Sequence, residues 1–159
     1  MSFKLTEHVI APGDGEVLEM HGPTAGTITI LVDPVNSGET GLCTLIQTLD
    51  PGAAVPVHRH EKAEQVLFFL LGVGKASIAG HEIDAVPGTT IHVPKGVRHG
   101  IANTGEEPLS FLETTSPPGF QETFRRLSQL SDPQPEQIGQ IAAEYDILID
   151  SGSDETSQA

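Results

Sequence analysis

His58 and His60 stand two residues apart in GAAVPVHRHEKAEQVLFFLLG, residues 52–72. On a β-strand that spacing turns both imidazoles to one face. A third histidine, His99, lies in GTTIHVPKGVRHGIAN, residues 88–103, just after a Pro-Lys-Gly turn. Neutral imidazole suits Fe, Ni, Cu, Zn and Mn, and suits hard alkaline-earth ions poorly. Three histidines carried by two hairpins into a barrel interior would hold a metal. The remaining coordination positions would fall to water or substrate, as an open catalytic site requires. The expected cofactor is one divalent transition metal per chain (Fe, Ni, Mn, Zn or Cu).

The elements that must position these rings read as short strands. EVLEM (16–20), TITILV (27–32), LCTLIQTL (42–49) and PLSFLETTS (108–116) carry strand patterns. KASIAG and HEIDAV read as a hairpin turning at Ala79-Gly80-His81. About eight or nine such strands, separated by turn signals, predict an all-β sandwich or barrel. After Pro117-Pro118-Gly119 the apolar residues Phe120, Phe124 and Leu127 fall at helical spacing. Asp132-Pro133 breaks that helix. A second is expected from about Glu136, with Ile138, Ile141, Ala142 and Tyr145 on one face, and both are expected against the barrel or a partner subunit. The expected division is an N-terminal arm (1–15), a barrel (16–116), a helical extension (117–150) and a disordered tail (151–159).

Composition narrows the function classes. The 159 residues carry 22 acidic against 8 basic side chains, a net charge of -14 that repels phosphate backbones, so no nucleic-acid partner is expected. The chain shows no apolar run of membrane-spanning length and no signal-peptide core at its start. Cys43 is the only cysteine, so no intrachain disulfide forms, and a reducing cytoplasm is the expected location.

The two histidine stretches resemble the two motifs of the cupin superfamily. The second matches in full through Gly88, Pro94, Gly96, His99 and Asn103; the first matches at Gly52, His58 and His60. Family members carry a glutamate ligand a few residues later and a glycine seven positions beyond it. Here that glycine is Gly72, so the frame selects Gln65, with Glu64 next door as the backup on the opposite face. TSPPGFQETFRRL and GETGLCTLIQTLDPG look like segments of small, single-domain, quercetinase-like cupins. The resemblance implies a double-stranded β-helix, a jelly-roll barrel, with two short C-terminal helices and a metal held by His58, His60, Gln65 and His99. A core glutamine can instead hydrogen-bond to backbone.

With glutamine for glutamate, no ligand neutralises the divalent charge, and an anionic chelating substrate is favoured. The implied function is a small-molecule dioxygenase acting on a metal-chelating enolate or diol. The alternatives are a metal-dependent isomerase or lyase without dioxygen, and a non-catalytic binding cupin. Glutamine cannot serve as a base, and His92 is the expected substitute if it lines the cavity. Arg98 reads as a rim ion pair, Asn103 as a structural hydrogen-bonder, and Phe68, Phe69, Phe111 and Cys43 as core. His8, His21 and His81 read as solvated. A homodimer is expected.

Overall fold

The structure, a computed structural model, describes residues 8–38 and 40–150. The expected tail and the first part of the expected arm lie outside the described residues. Eleven strands are present among the described residues: β1 (Glu16–Met20), β2 (Gly26–Val32), β3 (Cys43–Leu49), β4 (Ala54–Arg59), β5 (Glu64–Leu71), β6 (Gly74–Ile78), β7 (His81–Ala85), β8 (Thr90–Val93), β9 (His99–Ala102), β10 (Leu109–Ser116) and β11 (Leu148–Ile149). The helices are a single turn α1 (Pro34–Ser37), then α2 (Gln121–Leu127) and α3 (Pro135–Glu144). One antiparallel sheet runs β1-β2-β3-β10-β5-β8, and the other β11-β4-β9-β6-β7. Two facing antiparallel sheets make the jelly roll that the strand patterns predict.

Alternation decides which residues face inward. In β3 every second residue from Cys43 to Leu49 is buried, and β10 repeats this from Leu109 to Thr115. In β5 the buried positions are Gln65, Leu67 and Phe69. Phe68 points outward and is partly exposed, contrary to the expected core position, because it falls in the other phase of the same strand. At the end of β5, Gly72 has φ +81, and a Cβ there would lie 2.3 Å from the Pro108 carbonyl oxygen. Only glycine permits that approach, which fixes the start of β10 against β5.

The core has two parts. Phe69, Phe111, Leu109 and Leu49 fill one end of the barrel, where each fully buried side chain of this kind contributes roughly 1.5–3 kcal/mol. At the other end Ile28, Ile30, Cys43 and Leu45 pack against Phe120, Leu127, Ile141 and Ala142. The apolar faces of α2 and α3 are therefore covered by their own barrel. Arg125 of α2 ties this end together, donating to the fully buried Asp33 at 2.7 Å and to Glu16. Burial alone would raise the Asp33 carboxyl. Arg125 and the amides of Asn36 and Val35 outweigh that and hold it below the usual carboxylate range.

Candidate metal centre

The five-stranded sheet supplies the imidazoles. His58 near the end of β4 pairs directly with His99 at the start of β9, and His60 follows in the loop after β4. All three are buried, and each offers a ring nitrogen within 4.8 Å of the others. Ring centroids lie 4.2 Å apart for His58 and His99, and 5.0 Å for His58 and His60. Each Nδ1 faces a backbone carbonyl: Pro56 at 2.8 Å for His58, Asp146 at 2.7 Å for His60 and Val97 at 3.0 Å for His99. A carbonyl only accepts, so each Nδ1 carries the proton and each Nε2 is left with a bare lone pair. Burial lowers all three rings, His58 to about 3 and His99 to about 4, so they stay neutral. His60 Nε2 is buried with no hydrogen-bond partner among the described residues.

The opposite wall comes from the six-stranded sheet. Gln65 points inward from β5, while its neighbour Glu64 is exposed and meets His92 at 3.1 Å on the outer surface. The Gln65 amide nitrogen donates to Glu113 and, at 3.2 Å, to the Thr115 hydroxyl, both on β10. Its Oε1 then lies 2.8 Å from His99 Nε2. Two lone pairs face each other across that gap with no proton to join them. A cation removes the conflict, and the orphaned His60 Nε2 asks for the same thing. The three imidazoles and the amide oxygen thus fit a borderline transition metal.

Residues 45–115 match the model of the cupin domain. Those residues, just under half of the chain, resemble a cupin domain, and the two sheets around them have the cupin jelly-roll fold. It is similar to the oxalate-binding protein of Thermotoga maritima, 34% identical over 40% of this chain and 53% of that one. It is also similar to auxin-binding protein 1 of Arabidopsis thaliana, 35% identical over 46% of this chain and 41% of that one. The chain spans about half the length of these curated relatives. Among solved structures, KdgF from Halomonas sp. superposes with a TM-score of 0.59 at 18% identity, covering 71% of this chain and 96% of that chain. At that identity the likeness concerns the fold alone.

The cavity opens between the histidine wall, Gln65 and the C-terminal extension. Its volume is about 60 Å³, room for several water-sized groups. Phe111, Phe120, Phe124, Leu127, Ile138 and Ile147 make its sides apolar, and among the described residues no lysine or arginine lines it. Phe120, just before α2, sets its ring 5.9 Å from that of His60. The extension also reaches the metal-site loop. Asp146, held at φ +65, accepts from His60 through its carbonyl, and its carboxylate accepts from the amides of Glu61 and Lys62 at 3.0 and 2.9 Å.

Several other sequence expectations meet their geometry here. His92 does not line the cavity: Ile91 and Val93 take the inward phase of β8 and leave it on the surface. Arg98 pairs with Asp150, Nε to Oδ2 at 2.6 Å, on the rim. The Asn103 side-chain amide donates to the carbonyls of Leu49 and Glu107, a structural role. Cys43 is buried, its thiol pushed up to about 12 chiefly by desolvation, so it is a core residue and no nucleophile. His8, His21 and His81 are exposed.

Glu113 is the residue the sequence reading missed. It is buried in the cavity wall, and desolvation raises its carboxyl to about 7. A signal was present. In PLSFLETTS the period of two puts Glu113 in phase with Leu109 and Phe111, an acid where an apolar residue is due.

Proposed function

We propose that this protein is a metal-dependent small-molecule dioxygenase whose substrate chelates through paired oxygens as an enolate or diol. The observation that carries the reading is the cluster of three buried histidines, each with a ring nitrogen within 4.8 Å of the others, beside an apolar pocket lined, among the described residues, by no lysine or arginine. When bound, a divalent transition metal supplies Lewis acidity and a place to activate dioxygen. The side chains do the rest. The backbone-tied histidines keep their lone pairs aimed inward. Phe111, Phe120 and Phe124 exclude water and favour a substrate with an apolar body. With no cationic side chain in the lining, an anionic head group has only the metal to meet its charge. Glu113, not His92, is the inward-facing group able to hold a proton near the substrate.

The test is an oxygen-electrode screen of metal-loaded protein with acetylacetone and a panel of 2-keto acids, alongside His58→Ala, His60→Ala and His99→Ala. Oxygen uptake that vanishes in the histidine variants is expected. Metal-dependent proton exchange at a substrate carbon without uptake would move the enzyme to the isomerase or lyase class. The names of the two curated relatives, oxalate-binding and auxin-binding, favour a second reading, a module that binds small acids without turnover. Saturable calorimetric binding with no product would select it.

A further inference from the structure

Position 65 lacks the charge that the first cupin motif leads one to expect, yet the cavity is not without a carboxylate. Glu113 stands on the adjacent strand, diagonal to Gln65: Thr115 is the residue directly opposite Gln65, and Glu113 is opposite Leu67. On its other side Glu113 is opposite Leu45. Among the described residues its polar partners are Gln65 and Thr115, and neither is charged. A buried carboxylate flanked by leucines and without a cation is costly. A divalent ion among the nearby imidazoles would meet that charge.

We propose that Glu113 is the positioning residue of the metal site. It receives the Gln65 amide so that Oε1 faces the histidines, and it holds on β10 the negative charge that position 65 does not carry. The inference rests on the metal reading above. An amide has two orientations, and the two partners on β10 choose between them. With both amide hydrogens given to Glu113 and Thr115, only the oxygen is left to face His99. The same contact explains the glutamine. A glutamate at position 65 would press a second carboxylate against Glu113, and two like charges in one buried site disfavour each other's ionised form. Charge and amide should therefore be exchangeable between the two strands, whereas a second carboxylate at position 65 should bring no gain.

The experiment is a titration of the metal-free full chain with Co²⁺ alone. Affinity and the visible absorption of bound Co²⁺ are both read, and thermal unfolding checks each variant's fold. Glu113→Leu is expected to weaken Co²⁺ binding by about 10–100-fold and to alter the spectrum. Glu113→Gln keeps an acceptor for the amide and should lose less, with a spectrum like wild type. Gln65→Glu should gain nothing over wild type, and the exchange Gln65→Glu/Glu113→Gln should bind more tightly than either of its single variants. A folded Glu113→Leu with wild-type affinity and spectrum overturns the proposal, as does an exchange variant no tighter than the weaker single. If Glu113→Leu does not fold, the exchange carries the test. Wild type that takes up no Co²⁺ overturns the metal reading and this inference together. Wild type that binds Co²⁺ and loses it in His99→Ala, but not in the Glu113 variants, overturns this inference alone.

Discussion

The two walls of the cavity are built on different principles. On the histidine wall each of the three clustered imidazoles is held by a backbone carbonyl, and two of those carbonyls, Pro56 and Val97, lie two residues from the histidine they hold. On the six-stranded sheet Gln65, Glu113 and Thr115 hold one another, side chain to side chain, across strands far apart in sequence. Backbone partners survive substitution of their own side chains. Side-chain partners do not. The histidine wall should therefore fail only when a histidine is removed, and the glutamine wall should fail when any member is.

The largest effect should come from the first wall. His58→Ala, His60→Ala and His99→Ala should each cut metal content from about one equivalent to background, measured by elemental analysis of untagged protein purified without chelators. Val97→Ala, which keeps the carbonyl that His99 donates to, should hold wild-type metal content. Loss there as large as in His99→Ala would dissolve the contrast between the walls.

A smaller effect is expected at Gln65. Gln65→Ala removes an amide oxygen from the cavity and should weaken metal retention, whereas Glu64→Ala should leave it unchanged. The Glu64 carboxylate meets His92 in an exposed pair, worth less than about 1 kcal/mol. Equal losses in the two variants would mean that the inward and outward phases of β5 are exchanged.

The loop between the walls gives the next. Asp146→Ala removes a carboxylate that accepts two amides and puts a β-carbon-bearing residue without a local acceptor at φ +65. Loss of the two hydrogen bonds should cost about 1–3 kcal/mol. Asp146→Asn, which tolerates that backbone region and keeps one acceptor, should cost less. Chemical denaturation of the metal-free protein measures both.

The subtlest contrast is in pH. In the metal-free chain, burial keeps His58 and His99 neutral down to about 3 and about 4, while in the unfolded chain histidine takes a proton near ~6.5. Below that pH the unfolded chain binds more protons, so the histidine wall loses stability as pH falls. Glu113 has the opposite sign. Its carboxyl is raised from 4.5 to about 7, the folded chain binds more protons in that window, and stability falls as pH rises through it. Thermal unfolding of chelator-treated Glu113→Gln should show the acid-side loss intact and the loss toward neutral pH gone. A profile that overlays wild type would remove Glu113 as its source.

Legibility in the sequence follows the same divide. The histidines, the turn residues around them and the alternation of β3, β5 and β10 are local signals, readable within a few residues. Glu113 was hidden because its meaning depends on β10 lying beside β5, a pairing between residues 48 apart. The place of His92 was left open although Ile91 and Val93 already marked the inward phase of its strand. The helices α2 and α3 were readable from their apolar spacing, but the link from Asp146 back to His60 spans 86 residues and has no local sign.

The two residues of β11 have a consequence beyond the site. They lie along β4, pairing Leu148 with Arg59 and Ile149 with His58, and complete the border of the five-stranded sheet. Without them β4 would present a row of free amides and carbonyls, a template onto which another chain can add a strand. A proline at position 148, or removal of residues 145–150, would turn the histidine-bearing strand into that template. The strap whose Asp146 carbonyl meets His60 therefore also covers an open strand edge.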